Sequence, residues 1–529
     1  MCPDPRHDAS RTERESLAGT GHAGSARDRR LLEGPPVRGS SGADAPHILA
    51  PGACSADPEE RAAAVRRLSR RALLGGSALG FGALAFGMLN GSARAASGLG
   101  PGGALGALPR RRGKVAKNVI ALYMDGGLSH LDSFDPKPRL DREHGQPIGI
   151  EIPATQFDDV GKVLRSPWAF RPGGASGIPV SDLFPHLRDE VDRLAIVRSM
   201  TGAFSEHTFA NYLLHTGLPF QGRPSMGAWW SYGLGSDNDD LPGYVVLNGG
   251  LTPPGGLDNF GAGFLPAEHQ ASVLRSSGEL LANLTPARGD ARQRRQLDLV
   301  RGLDRLGPLG DDPTVDAAIA NQEKAFRMQV AVPDVADLSG ESAAVRELYG
   351  LESEYEHERT YGRQCLLARR LVERGVRFVQ LTCPDTGHDR WDQHSDLRQG
   401  HGDNARAVDR PIAALLRDLD ATGLLDETLV VFLTEFGRTP MAQGTNGRDH
   451  NPFGFTVWFA GAGVRGGTVV GATDDYGYHA VEDVRDIHDL HATMLHLCGV
   501  DHEELTYRFD SRDIRLTDVH GDVIRGVLS

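Results

Sequence analysis

Two acidic residues that are far apart in the chain each follow an apolar segment. Asp125 comes directly after residues 118–124, and Glu435 comes directly after residues 428–434. Segments that are nearly continuous in apolar and β-branched residues are typical of strands buried on both faces of a sheet. Because ligands bind beyond the carboxyl ends of such strands, both carboxylates are predicted to be metal ligands at one sheet edge. For Glu435, a structural salt bridge with a nearby arginine is the alternative.

Histidine and carboxylate residues are concentrated after another apolar segment, residues 376–382. The loop 386–396 contains the candidate ligands His388, Asp392 and His394. Imidazole together with carboxylate suits Zn²⁺, Mn²⁺ or Fe. The D-x-H spacing can also place two side chains on one side of an extended chain. A solvated, charged loop is the alternative, but the position after a buried strand favours metal ligands.

Further candidates lie shortly after Glu435. Asp449 and His450 offer a carboxylate and an imidazole, and both are candidate metal ligands. Arg438 and Arg448 belong to the same segment. Because a guanidinium group matches oxyanions geometrically, either arginine is a candidate for holding the oxyanion of a substrate.

The segment 205–217 predicts a loop, the start of a helix, about two helical turns and a glycine stop. It contains Ser205, His207 and Thr208 at the predicted helix start. Hydroxyls and an imidazole near a helix N-terminus favour an anionic group such as phosphate or sulfate. Ordinary N-capping by Ser205 is the alternative.

Apolar segments and helical patterns alternate along the chain. Strands are predicted at 118–124, 193–198, 244–247, 376–382, 428–434 and 455–459, and helices at 341–373, 404–421 and 487–498. Such alternation implies crossover connections. The predicted fold class is therefore α/β, with a mostly parallel central sheet flanked by helices on both faces. Long Gly/Pro-rich connections at 136–190 and 249–270 are expected to be functional or lid-like.

The N-terminal residues are predicted to lie outside the folded domain. Residues 1–65 lack hydrophobic periodicity, which indicates a disordered leader or a start site assigned too far upstream. Residues 66–95 combine adjacent arginines, a short apolar stretch and an A-x-A site, the pattern of a twin-arginine export signal. A membrane anchor is the alternative, but the stretch is shorter than the ~20 residues that a span needs. Residues 110–529 are predicted to form one domain.

The mature chain is acidic. Of the 57 basic and 70 acidic residues, 13 and 10 lie in the first 95, so the remainder carries a net charge of about −16. This balance argues against a nucleic-acid partner, because phosphate binding needs clustered positive charge. No later segment predicts a stable transmembrane span. Cys365, Cys383 and Cys498 lie in apolar surroundings, where buried small hydrophobes are the default interpretation.

Four ordered segments resemble the DUF1501 family: YMDGGLSHLDSFDPKP at 123–138, WDQH at 391–394, EFGRTP at 435–440 and GRDH at 447–450. The resemblance extends from about residue 115 to the C-terminus, and a twin-arginine leader is usual for that family. It implies an alkaline-phosphatase-like fold, shared with sulfatases and phosphodiesterases. It also implies one or two metal ions at the C-terminal sheet edge, beside a nucleophile at a helix N-terminus.

The resemblance also implies roles for single residues. Asp125 corresponds to the first metal aspartate of that superfamily, while Asp392 and His394 resemble the ligands of the other metal site. His450 matches a downstream metal histidine. Phe436 departs from the pattern, because sulfatases have an Asp-His pair there and phenylalanine cannot bind metal.

The position of the nucleophile departs most. His207 stands nine positions before Thr216, where sulfatases have the cysteine that becomes formylglycine. Ordinary sulfatase chemistry is therefore not expected. Thr208 or Ser205 could serve as a phosphatase-type nucleophile, while His207 could attack, be phosphorylated or bind metal.

The favoured hypothesis is an exported or periplasmic, metal-dependent hydrolase of phosphate or sulfate esters. The expected cofactor is a divalent metal, Zn, Mn or Fe, which activates a hydroxyl or water. The expected partners are an anionic small-molecule or polysaccharide ester and the twin-arginine export machinery. The alternative is a non-catalytic relative that binds a polysaccharide or an envelope partner.

Overall fold

The structure is a computed structural model, and it describes residues 115–152, 160–275, 289–306 and 313–529. The predicted leader at 1–65 and the predicted export signal at 66–95 lie outside the described residues. Within those residues, no helix combines the length and the apolar composition that crossing a bilayer requires.

The strands are β1 (Asn118–Tyr123), β2 (Phe170–Gly173), β3 (Ile178–Ser181), β4 (Ala195–Met200), β5 (Tyr244–Asn248), β6 (Ser272–Arg275), β7 (Phe378–Thr382), β8 (Thr428–Leu433), β9 (Gly437–Gln443), β10 (Gly447–Asn451), β11 (Phe455–Gly461), β12 (Thr468–Val470), β13 (Ala472–Thr473), β14 (Ala480–Glu482), β15 (Tyr507–Phe509) and β16 (Arg512–Ile514). Eight of them form a central sheet in the spatial order β12-β4-β11-β8-β1-β7-β5-β6. Neighbours in this sheet are parallel except at β11, which is antiparallel to both β4 and β8. The predicted mostly parallel sheet is confirmed.

The helices are α1 (Pro138–Glu143), α2 (Pro185–Asp189), α3 (His207–Thr216), α4 (Met226–Leu234), α5 (Asp290–Leu306), α6 (Pro313–Ala336), α7 (Ala343–Leu348), α8 (Glu356–Glu373), α9 (Leu397–Ala421) and α10 (Ile487–Leu497). Side chains of β1 alternate between two apolar cores. Ile120 and Leu122 pack in a core with α8 and α9, whereas Val119 and Ala121 pack in a second core with α3 and α10. Helices therefore cover both faces of the sheet, as predicted, and the strands are buried between them.

Three central strands end at the same level. Tyr123, the last residue of β1, is in register with Thr382 at the end of β7 and with Leu433 at the end of β8. Because the three strands are parallel, the segments that follow them leave the same edge of the sheet. This register brings together the predicted candidates that follow each strand.

A hairpin of β9 and β10 was not predicted from the sequence. Both strands are almost wholly buried, yet they read GRTPMAQ and GRDHN, with few β-branched residues and an internal proline. Two of their buried polar side chains, Arg438 and Arg448, bond to residues that are distant in sequence, and neither strand has a periodic apolar face. Period-2 patterning therefore gives no signal for this hairpin.

The prediction of one continuous helix at 341–373 is wrong. The structure has α7 and α8 instead, separated by a turn in which Gly350 adopts a φ of 69°. This left-handed conformation ends a helix and favours glycine. The helix predicted at 404–421 begins earlier, at Leu397. Cys365, Cys383 and Cys498 are buried and free, as predicted.

Candidate metal centre

The candidate centre lies at the sheet edge where β1, β7 and β8 end. The strand β4 points the same way, because both β4 and β8 are antiparallel to β11. The connections that follow β1, β4, β7 and β8 are therefore among those that leave this edge, and the hairpin of β9 and β10 follows the one after β8. This is the edge at which open α/β sheets place their ligands.

The first side chain comes from the start of α3, where His207 is the first helical residue. Glu206 caps this helix, because its carboxylate accepts from the backbone N–H groups of Thr208 and Phe209 over 3.0 and 3.1 Å. The interpretation of Ser205 as the N-cap is therefore replaced by Glu206. The cap fixes the first turn of α3 and with it the position of His207.

Three histidine rings converge on the carboxylate of Asp392. The Nε2 atoms of His394 and His450 lie 2.9 and 3.0 Å from Asp392 Oδ1, and His207 Nε2 lies 3.1 Å from Oδ2. The Nε2 atoms of His394 and His450 are 3.0 Å apart. Ligand atoms of a tetrahedral site with zinc-type bond lengths are ~3.3 Å apart. The observed separations are therefore close to those of a metal site.

The other ring nitrogen of each histidine defines its tautomer. Each ring donates from Nδ1 to an oxygen: His207 to Glu435 Oε1 (2.7 Å), His394 to Gln443 Oε1, and His450 to the backbone carbonyl of Ser205 (2.6 Å). Because these oxygens act as acceptors, each neutral ring carries its proton on Nδ1 and its lone pair on Nε2. Three lone pairs and a carboxylate thus face one point, an arrangement that a cation stabilises.

A bulge in β10 adds Asp449 to the same region. Consecutive strand residues normally point to opposite faces, but the register shifts between Arg448 and His450, and such bulges redirect side chains. Ligand atoms of His394, Asp449 and His450 lie within 4.8 Å of one another, as do those of His207, Asp392 and His450. Asp449 Oδ2 is buried with no hydrogen-bond partner among the described residues. An unsatisfied carboxylate oxygen beside two histidines fits a bound metal ion.

The pKa shifts reflect burial of the cluster and close contact between groups of opposite charge. Burial would raise the pKa of Asp392, but Arg438 and the three histidines hold it well below its usual range. Burial, reinforced by Arg438, lowers the pKa of His450 to about 4. Burial would also lower the pKa of His207, but hydrogen bonds with Asp392 and Glu435 raise it to about 9. The carboxylates that hold a proton on His207 would equally attract a metal ion.

Asp125 is paired with an arginine. Its carboxylate is 2 % exposed, and Oδ2 lies 2.6 Å from Arg390 Nε. Burial raises the pKa of Asp125 to about 7, against the opposing effect of Arg390. Among the described residues, neither group of converging ligand atoms includes Asp125. The structure therefore brings this predicted ligand to the correct edge, but in contact with Arg390.

Glu435 supports a histidine of the cluster. Its Oε1 accepts from His207 Nδ1 over 2.7 Å and from the backbone N–H of Gly126 over 2.8 Å. A carboxylate bonded to the far nitrogen of a ligand histidine orients the ring and raises its basicity. The geometry places Glu435 behind His207 rather than beside its Nε2 atom.

The two arginines predicted to hold a substrate oxyanion are fully buried. Arg438 donates to Asp392 Oδ1 over 2.6 Å and to the carbonyl of Gly127 over 2.8 Å. Arg448 donates to Asp132 over 2.8 Å. Each side chain is 0 % exposed. Arg438 thus positions the central carboxylate and Arg448 anchors the hairpin, so their geometry supports structural roles.

Two other predicted residues stand apart from the cluster. His388 pairs with Asp403 over 2.8 Å, and its side chain is 30 % exposed. Thr208 contacts the capping carboxylate of Glu206. Neither belongs to the grouped ligand atoms of the described residues.

Phe436 occupies the inner side of the centre. Its ring centroid lies 4.8 Å from that of His207 and 4.6 Å from that of His450, and its side chain is fully buried. It fills space beside the ligand rings with apolar surface. The departure from the sulfatase pattern is therefore accommodated by packing.

Sequence reasoning missed the groups that orient the ligands. Arg390 lies inside the loop 386–396, but its partner Asp125 is distant in sequence. Gln443 and the carbonyl of Ser205 carry no sequence signal, since an amide and a peptide oxygen occur everywhere. These contacts depend on tertiary structure alone.

The fold and the site define an α/β protein with a histidine–carboxylate candidate metal centre at the C-terminal edge of its sheet. Residues 116–528 match the family described as "Protein of unknown function (DUF1501)". The chain belongs to this family, as its ordered segments predicted. A comparison with curated proteins gives no match.

Solved structures that share similarity with the chain have low TM-scores. The lipoteichoic acid synthase LtaP from Listeria monocytogenes has 10 % identity and a TM-score of 0.35, covering 79 % of this chain and 77 % of its own. The PsFucS1 sulfatase from Pseudoalteromonas sp. has 13 % identity and a TM-score of 0.31, with coverages of 73 % and 68 %. The alkaline phosphatase from the Antarctic bacterium TAB5 has 10 % identity and a TM-score of 0.33, with coverages of 74 % and 100 %.

Proposed function

We propose that this protein is an exported, metal-dependent hydrolase of phosphate or sulfate esters. Its cofactor is a divalent ion, Zn, Mn or Fe, and its substrate is an anionic small-molecule or polysaccharide ester. The twin-arginine machinery delivers the chain to the periplasm in this proposal. The chain is not a formylglycine sulfatase, because His207 takes the place of the required cysteine.

One observation carries the metal part of the proposal. Three imidazole Nε2 atoms meet the carboxylate of Asp392 at 2.9 to 3.1 Å, and in the metal-free chain at neutral pH a proton on His207 relieves the repulsion between these acceptors. Such a cluster of acceptors is unfavourable unless protons or a cation separate them. The ligands assigned to the ion are His207, Asp392, His394 and His450, with Asp449 Oδ2 beside them.

Residues that do not coordinate the ion would fix the positions of its ligands. Glu435 and Arg438 fix His207 and Asp392 through contacts of 2.7 and 2.6 Å, and Phe436 excludes water from the inner side. A bound divalent ion lowers the pKa of a water molecule and neutralises charge that develops on an ester oxygen. Because both nitrogens of His207 are engaged and Thr208 stands apart from the cluster, attack on the ester falls to a water molecule.

Elemental analysis of the purified, dialysed chain tests the metal centre. We expect a stoichiometric divalent metal in the wild-type chain and its loss in His394→Ala and His450→Ala. His520→Ala removes an exposed histidine outside both ligand groups and should keep the metal. A metal-free wild-type chain whose stability is unchanged in both variants would refute the proposal.

The reaction requires its own test. The metal-loaded chain is incubated with aryl phosphate monoesters, phosphate diesters and sulfate esters, and release of the aryl alcohol is followed. Turnover that disappears in His450→Ala but persists in His520→Ala supports hydrolysis. Absence of turnover with metal present would refute the ester hydrolase while leaving the metal centre intact.

A second candidate function is a metal-stabilised binding module without hydrolysis. Both arginines expected to hold an oxyanion are fully buried, and Phe436 stands where a further metal ligand is expected. This candidate predicts retention on immobilised anionic polysaccharide without cleavage. Weak binding combined with ester turnover would exclude it.

A further inference from the structure

The end of β1 carries a buried acid that the proposed metal ligands do not use. Asp125 is 2 % exposed, and it follows the same register as Glu435 on the neighbouring strand β8. The backbone N–H of Gly126 bonds to Glu435 Oε1 over 2.8 Å, so the two acidic segments touch. A buried carboxylate is costly unless a cation or hydrogen bonds compensate it.

Arg390 compensates the charge of Asp125 from the opposite loop as an ion pair, although the Nε–H group is not aligned for a hydrogen bond with Asp125 Oδ2. Its Nε lies 2.6 Å from Asp125 Oδ2, its Nη1 lies 2.7 Å from Asp389 Oδ1, and its Nη2 donates to the carbonyl of Thr252 over 2.6 Å. Its side chain is 16 % exposed. The guanidinium group therefore spans from the buried acid to the rim of the site.

The backbone is arranged to bring Arg390 to this place. Arg390 has a φ of 51°, a left-handed conformation that non-glycine residues rarely adopt. A Cβ at Gly126 would lie 2.8 Å from Arg390 Cβ and 2.7 Å from the backbone nitrogen of Trp391. Only glycine at 126 permits this close approach. An unfavourable conformation held against a close-packed neighbour indicates a built contact.

The grouping of the ligand atoms favours one divalent ion. Among the described residues there are two groups of converging ligand atoms, and His450 belongs to both: one also contains His207 and Asp392, the other His394 and Asp449. His450 Nδ1 donates to the carbonyl of Ser205, so the ring has only Nε2 for an ion, and one ion at this nitrogen serves both groups.

We propose that Arg390 acts as a built-in second cation, so that Asp125 is not a metal ligand and the chain binds a single divalent ion. This inference rests on the metal centre of the proposed function. In it, the ion takes the ligand set around Asp392, and the guanidinium group of Arg390 neutralises the neighbouring acid. Asp125 and Arg390 then form a structural pair whose loss affects stability more than metal binding.

Metal stoichiometry of the full chain, measured with Zn²⁺ and with Mn²⁺ as probes, tests this inference. We expect one ion per chain in the wild type and in Asp125→Asn, but at least tenfold weaker binding in Asp392→Asn. Asp475→Asn, at a carboxylate that is 81 % exposed, serves as the matched control. Two ions in the wild type, or loss of the ion in Asp125→Asn, would overturn the inference; a wild-type chain without any ion would instead refute the proposed function.

Thermal unfolding of the metal-free chain provides a second readout. Asp125→Asn removes the buried acid that faces Arg390 Nε and leaves only the exposed Asp389 as its acidic partner, so we expect a lower Tm, and the double variant Asp125→Asn/Arg390→Met should recover most of that loss. The double variant should still bind one ion, which keeps the test valid if Asp125→Asn fails to fold. A double variant that binds no ion, or that binds two, would overturn the inference.

Discussion

Replacing Glu435 by glutamine separates orientation of a ligand from coordination of the metal. Glutamine keeps the length of the side chain and one carbonyl oxygen, so it can still accept from His207 Nδ1 and from the backbone of Gly126. It removes the negative charge from two contacts that are 2.7 and 2.8 Å long. The Glu435→Gln variant therefore changes the electrostatics behind His207 with little change in shape.

The expected loss follows from the strength of the charged hydrogen bond. Bonds to ionised groups contribute roughly 1.5–3 kcal/mol, and neutral ones about 0.5–1.5 kcal/mol, so the change removes about 1–2 kcal/mol. Each 1.4 kcal/mol corresponds to about a tenfold change in affinity, which gives roughly 5- to 30-fold weaker metal binding above pH 9, where no proton competes for His207. This range overlaps the ~10- to 100-fold effects of groups that orient metal ligands.

Competition with a chelating indicator measures the affinity, and its pH dependence adds a second signature. In the metal-free chain, hydrogen bonds raise the pKa of His207 to about 9 despite burial, so the ion competes with a proton. Wild-type affinity should therefore rise with pH until about 9. Without the charge of Glu435 the pKa of His207 falls, and the plateau should be reached at a lower pH.

A matched control and two contrary results complete the test. Glu427→Gln changes a carboxylate that is 47 % exposed and paired with Lys117 at the surface, and it should leave affinity unchanged. Unchanged affinity in Glu435→Gln would refute the orienting role. Loss as complete as that of Asp392→Asn would show that Glu435 itself coordinates the ion.

Two further predictions concern stability and positioning. Burial raises the pKa of Asp409 to about 7, well above the ~3.9 of an unfolded chain, so its stabilisation is fully present below pH ~4 and is lost as pH rises through 7. The loss amounts to about 4 kcal/mol, and urea unfolding at several pH values should show it in the wild type but not in Asp409→Asn. A Cβ at Gly447 would lie 1.9 Å from the carbonyl oxygen of His394, so Gly447→Ala should displace that ligand and weaken metal binding at least tenfold in the same indicator assay.

Each of these predictions has a control and a contrary outcome. Asp475→Asn should keep the wild-type pH slope, and a slope that survives in Asp409→Asn would assign it to another group. Gly302→Ala places a methyl group where no atom lies within 4 Å, so it should leave metal binding intact. Wild-type affinity in Gly447→Ala would show that the loop carrying His394 can shift without cost.

The elements that could be predicted are those whose own residues are apolar enough to indicate burial. The strands β1 and β8 are continuous apolar segments, and the acids that follow them, Asp125 and Glu435, reach the predicted edge. The hairpin of β9 and β10 has no such pattern, because its polar residues are paired with distant groups such as Asp132, which holds Arg448.

The sequence predicted which residues come together in the candidate site, but not which of them pair with one another. Asp392, His394 and His450 do come together, as their residue types indicated. The partner of each group, however, is set by tertiary contacts between segments that are distant in sequence. Arg390 pairs with Asp125, and His207 donates to Glu435. Spacing along one chain contains no information about such pairings.

The large sequence separation between the contacting residues of the centre also has a consequence for the order of folding and metal binding in the cell. His450 contacts the carbonyl of Ser205 across 245 residues, and His207 contacts Glu435 across 228. Contacts of such separation form late, because closing long loops costs entropy before the contacts repay it. A nascent chain would therefore lack any high-affinity site until its last third has been synthesised and docked, and metallation would report completed folding. If the chain is exported, it would need a route that accepts folded cargo, as the twin-arginine pattern at 66–95 predicts.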